Sequence, residues 1–154
     1  MQAVTRLAPS ASRGLDSLFG VSDEWPAGFT DFGVGALAEK MGIEIDLADG
    51  VVSARMPVEG NTQPYGLLHG GATAVLVETV GSIASALAAP GTLPVGIEVS
   101  VSHHRSARSG YVTCSAELVH QGKTLASWLI PVLDDEGRRI ATGRLTCLLR
   151  DAPR

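Results

Sequence analysis

Residues 63–89 read QPYGLLHGGATAVLVETVGSIASALAA. From Gly70 to Ala89 no proline interrupts, and twenty residues in an α-helix extend about 30 Å, the thickness of a bilayer core. Glu78 near the middle argues against a membrane span, because a centred carboxylate costs roughly 2.5–3.5 kcal/mol on insertion scales. The alternative is a helix buried in protein. Its small residues, Ala72, Ala74, Gly81, Ala84, Ser85, Ala88 and Ala89, suit a helix that strands approach on most sides, and it lacks the charged face of a surface helix.

On either side of it the pattern is that of strands. Upstream, 36–41 reads as a short helical turn. Ile43, Ile45 and Leu47 then alternate with Glu44 and Asp46, and Asp49-Gly50 marks a tight hairpin into a strand over 51–58. Downstream, Val95, Ile97, Val99 and Val101 alternate with Gly96, Glu98, Ser100 and Ser102. Three further strands are expected over 111–120, 123–133 and 138–149, joined by Gln121-Gly122 and by the turn 134–137. One long helix among antiparallel strands implies an α+β domain with a sheet curved around the helix. Residues 1–34, rich in Gly, Pro and Ser with Leu18, Phe19, Trp25, Phe29 and Phe32 as scattered anchors, read as an N-terminal arm, and 35–150 as the folded domain.

A length of 154 residues fits one domain, and 45% apolar against 18% charged residues excludes global disorder. Twelve basic against sixteen acidic residues give a net charge of −4, the wrong sign for nucleic acid or anionic lipid partners. Cys114 and Cys147 are too few and too far apart for a disulfide framework or a metal knuckle. Read as reduced core thiols, and with no basic-then-apolar leader near Arg6 and Arg13, they point to a cytoplasmic protein.

The chemistry is expected where Gln63 and His69-Gly70-Gly71 meet the helix. Glycines there let a ligand approach backbone N–H groups that lack intrahelical acceptors, in the positive field of the helix dipole, an arrangement open to two readings, an oxyanion hole or an ordinary loop before a helix. Glu78 lies two turns on with Ser82 at i+4 as its polar neighbour; an acid in an apolar helix is costly to bury and has no basic partner there. His69 has two readings, a catalytic base or a side chain that fixes the loop, and the second is favoured. His103 and His104 are adjacent on a strand, point to opposite faces and therefore share no metal. Gly70 and Glu78 are separated by roughly 12 Å of helix, too far to act on one carbon from a single chain. Two helices packed antiparallel about a two-fold axis bring Glu78 of one copy to Gly70 of the other, so a homodimer is expected at minimum and a homotetramer as its extension.

His69-Gly70-Gly71 with an acid nine residues after the histidine, on a small-residue helix followed by four strands, resembles the hotdog-fold acyl-CoA thioesterases over about residues 35–150. Glu78 with Gln63 is similar to the 4-hydroxybenzoyl-CoA thioesterases of the Arthrobacter type. The phenylacetate-pathway group usually carries Asp and Asn there. Trp128, Val95-Gly96, Arg105 and Gly110 are also similar to the first group, whereas His103-His104, Pro131 and the N-terminal arm depart from it. The resemblance implies hydrolysis of an acyl-CoA thioester without metal or organic cofactor. Glu78 would be nucleophile or general base, Ser82 would orient the water or the acid, Gly70 N–H would polarise the carbonyl, and Gln63 would lie near both. Arg105, Arg108, Lys123, Thr124 and Arg150 are the candidates for the CoA phosphates, since a protein of net −4 must gather cations locally. Tyr65, Trp128 and the arm are candidates for the wall of an aryl or medium-chain acyl slot. Two rival readings are a hydroxyacyl-thioester dehydratase using His69, for which a second acid at matching spacing is missing, and a non-catalytic acyl-CoA-binding module, in which Glu78 would have no task.

Overall fold

The computed structural model describes residues 34–151; the arm expected over 1–34 lies outside them except for Val34. The elements run α1 (Ala36–Lys40), β1 (Glu44–Ala48), β2 (Val51–Pro57), α2 (Gly70–Ala88), β3 (Thr92–His103), β4 (Tyr111–Ser115), β5 (Glu117–Gln121), β6 (Leu125–Asp134) and β7 (Arg139–Asp151). All pairings are antiparallel, in the order β1-β2-β4-β6-β7-β3, with β5 also on β6. Helix α2 packs against β2, β3, β4, β6 and β7, so the sheet curls around it as the hotdog reading requires.

The local signals explain most of this. Asp49 and Gly50 both take positive φ, 50° and 71°, the geometry of the two-residue turn that Asp-Gly favours. Leu76, Val77 and Val80 of α2 are buried with Met56, Ile130 and Leu145 from the sheet and Val58 just beyond β2. Each such side chain contributes roughly 1.5–3 kcal/mol by burial. Close approach of helix and sheet depends on glycine. A methyl on Gly81 would meet Leu145 and Ile130, and one on Gly143 would run into Val77. By length and composition alone α2 passes for a membrane span, yet more than half of it is buried within the domain.

Three expectations need correction. The strand foreseen over 111–120 is two, β4 and β5, with Ala116 between them; its N–H donates to Val52 O at 3.0 Å, on the β2 side. The break faces Ile130 and Pro131, between the pairs Cys114↔Val132 and Glu117↔Leu129, and a proline has no N–H for a neighbouring strand. Trp128 lines no acyl slot within the chain: it is 6% exposed and its Nε1–H donates to Ser85 Oγ at 2.7 Å, while Ser85 Oγ donates to Gly81 O at 2.8 Å. The helix is not enclosed on most sides either. Gly71, Val75, Glu78 and Ser82 form a stripe that the sheet leaves open or half-covered, since the curl reaches only as far as β3.

Candidate active site

The approach to α2 is fixed before the helix begins. Asn61 Nδ2 donates to Met41 O and Pro57 O, at 2.8 and 2.9 Å, and its carbonyl accepts the His69 N–H at 2.9 Å. Leu68 N–H donates to Ala107 O at 2.8 Å, and the turn from Gln63 to Gly66 closes at 3.0 Å with Gly66 at φ 73°. His69 is the N-cap, and its Nδ1 accepts the Gly71 N–H at 2.9 Å. This is the loop-fixing role, played by a ring nitrogen where a Ser or Asp oxygen is the commoner cap. It commits the Gly71 amide, which was expected among the free donors. The Gly70 N–H has no acceptor among the described residues and remains the donor at the helix start.

Gly70 opens onto a cleft of about 400 Å³ with Gln63, Leu67, Thr73, His103 and Arg105 in its wall. His103 and His104 do not point to opposite sides of the strand. β3 ends at His103, the next two amides both turn to Ile140 O, and both histidines border the cleft. The His103 ring lies over Gly70, its Cε1 3.1 Å from where a Cβ would stand, and His104 Nε2 is 2.8 Å from Thr142 Oγ1. Sequence reasoning set His103 aside. It follows Gly70 by thirty-three residues, and no local pattern brings the two together.

Glu78 is somewhere else. It lines a smaller cleft of about 200 Å³ with Gly96, Ile97, Glu98, Val99 and Leu145. Its Oε1 would be 3.0 Å from a Cβ on Gly96, so the carboxylate lies close against bare backbone, and the strand bulges between Gly96 and Glu98. Within one chain Glu78 is exposed, against the expectation of burial, because it sits on the open stripe beside the edge strand. Ser82 is half-buried one turn on, and no hydrogen bond joins the two side chains.

The proposed phosphate-binding residues form two groups. Arg105 and Arg108 are exposed in the loop after β3, at the end where His103 pairs with Ala141. Lys123 and Thr124 belong to the turn before β6 rather than to the strand. Thr124 O accepts the Leu149 N–H at 2.8 Å, next to Arg150, which pairs with Leu93 near the other end of β3. Ten strand residues, about 33 Å, separate the groups. Among the described residues no cluster of three His, Cys, Asp or Glu is placed to hold a metal ion.

Residues 65–141 match the model of the thioesterase superfamily. The proofreading thioesterase EntH of Cronobacter turicensis is 46% identical over 116 residues, 73% of this chain and 85% of that protein. Among solved structures, a variant of the thioesterase PA1618 from Pseudomonas aeruginosa superposes with TM-score 0.79 at 34% identity, covering 88% of this chain and all of that one. Two variants of SAV0944 from Staphylococcus aureus superpose at 0.70, with 36% and 38% identity over 74% and 75% of this chain and 98% and 99% of theirs. In one SAV0944 variant alanine replaces a glutamine and in the other a glutamate. Those two positions are fifteen residues apart, the spacing of Gln63 and Glu78 here. The chain belongs to the thioesterase superfamily and is a thioester hydrolase with the hotdog fold.

Proposed function

We propose that the chain hydrolyses acyl-CoA thioesters as a homodimer with two equivalent sites, each joining the Gly70 cleft of one protomer to Glu78 of the other. The observation that carries this reading is the division of the chemistry: the only described carboxylate on α2 and the free amide at its start open into separate clefts on one rigid helix. Beside Glu78, the edge strand β3 exposes Leu93, Val95, Ile97 and Val99. A long apolar edge with unpaired backbone groups is a pairing surface. Antiparallel pairing of β3 with its copy brings each Glu78 toward the partner's helix start. It also brings the Lys123, Thr124 and Arg150 group of one protomer toward the Arg105 and Arg108 group of the other, gathering five candidate phosphate contacts from two chains. A homotetramer is an extension of this dimer.

In the reaction the thioester carbonyl lies at the Gly70 N–H, with the Gln63 carboxamide beside it. Glu78 either attacks the carbonyl carbon, forming an anhydride that water opens, or takes a proton from the attacking water. In both routes the C–S bond breaks and CoA leaves as the thiol. Gln63 with Glu78 supports the 4-hydroxybenzoyl-CoA type of chemistry, and Leu67, Leu68 and Ile140 offer an apolar wall for an aryl or medium-chain acyl group. The buried, unbridged thiols Cys114 and Cys147 fit a reducing, cytoplasmic setting.

The test is Glu78→Gln assayed by release of free thiol from benzoyl-, phenylacetyl- and hexanoyl-CoA, with size measured by light scattering. Turnover should fall about 10²–10⁴-fold with the dimer intact. Retention of more than about a tenth of kcat overturns the role given to Glu78.

A further inference from the structure

Helix α2 shows two ways of treating a hydroxyl. Thr79 Oγ1 donates to Val75 O and Ser85 Oγ to Gly81 O, each at 2.8 Å, the ordinary refuge one turn back. Thr73 does not use it. Its side chain is completely buried and its Oγ1 has no hydrogen-bond partner among the described residues. The carbonyl it would turn to belongs to His69, which already accepts the N–H groups of Ala72 at 2.9 Å and of Thr73 itself at 3.3 Å. A buried hydroxyl left unpaired is costly, and valine would fill the same space without that cost. Thr73 nevertheless stands in the wall of the 400 Å³ cleft with Gln63, Gly70 and His103.

We propose that the Thr73 hydroxyl is a substrate-binding donor that hydrogen-bonds the thioester carbonyl oxygen together with the Gly70 N–H. It follows Gly70 by three residues, on the same helix face, and helical side chains lean toward the N-terminus, which aims the hydroxyl at the first-turn amides. The His103 ring over Gly70 is the exposed group that yields as the carbonyl enters. The carbonyl takes two donors, one from the backbone and one from a side chain. This assignment rests on the thioester lying at Gly70, as proposed above.

Thr73→Val and Thr73→Ser, measured with the same three acyl-CoA esters and by thermal unfolding, test it. Thr73→Val should lower kcat about 10²-fold with KM nearly unchanged, while its Tm stays level or rises a few degrees, a combination that a structural role does not produce. Thr73→Ser should keep kcat within about threefold, because it keeps the donor. Turnover of Thr73→Val within about twofold of the parent, a fall in its Tm, or loss of turnover in Thr73→Ser as deep as in the valine variant overturns the assignment. If Glu78→Gln abolishes turnover and Thr73→Val does not, only the Thr73 assignment falls; if neither does, the placement of the whole site falls.

Discussion

The two edges of the sheet are built on opposite principles. β1 is five residues long, carries Glu44 and Asp46, and is closed by the Glu44–Arg55 ion pair at 2.7 Å, with the Arg55 guanidinium 4.8 Å from the centre of the Tyr111 ring. Short, charged strands of this kind discourage further pairing. β3 is twelve residues long, bonded among the described residues only to β7, and shows solvent four large apolar side chains that alternate along it. The difference teaches that one edge is closed by its own charges while the other, among the described residues, is left open, and it is this open edge on which the proposed dimer rests.

The most damaging way to break this contrast is to make β3 resemble β1. Ile97→Glu should convert the assembly to monomers on light scattering and cost at least about 10²-fold in turnover, because each site would lose its acid. A monomer of that variant with parental activity would show that the catalytic groups need no second copy. Glycine at the helix–sheet contact separates association from stability: Gly143→Ala forces Val77 aside and should cost about 1–3 kcal/mol, a drop in Tm of roughly 2–4 °C per kcal/mol. On the finished edge, Arg55→Ala should change stability by no more than about 1 kcal/mol, since both partners are partly solvated, and leave size and turnover alone.

The smallest effect lies at the β6–β7 turn. Desolvation pushes the Asp134 carboxyl up, but hydrogen bonds from the Arg138 amide and guanidinium and from the Glu136 amide outweigh it and hold the group below the ordinary carboxylate range. The stability this provides is present at neutral pH and lost as pH falls through the folded-state value. Asp134→Asn should therefore lose less of its urea midpoint than the parent between about pH 6 and about pH 3.

What could be read from residues alone follows the range of the forces involved. Asp49-Gly50, the period-two runs and the small-residue helix are local signals, and each element they announced is present. Trp128 went astray because its Nε1–H partner, Ser85, is forty-three residues away. The break at Ala116 escaped notice because its cause, Pro131, lies across the sheet. In the site, a loop-fixing role for His69 and a backbone donor at Gly70 were legible from the loop-to-helix transition, while the form of the first, a ring nitrogen capping the helix, was not. The place of His103 over Gly70 and the exposure of Glu78 were not. The first depends on where β3 ends, and the second on how far a single sheet can curl.

β3 precedes β7, its only strand partner among the described residues, by about forty to sixty residues. On the ribosome, Leu93, Val95, Ile97 and Val99 emerge early but cannot be laid into a sheet until β7 has been translated. A nascent chain therefore presents no ordered β3 edge to its neighbours on a polysome before β7 has been made, and the dimer proposed above would form only after that point.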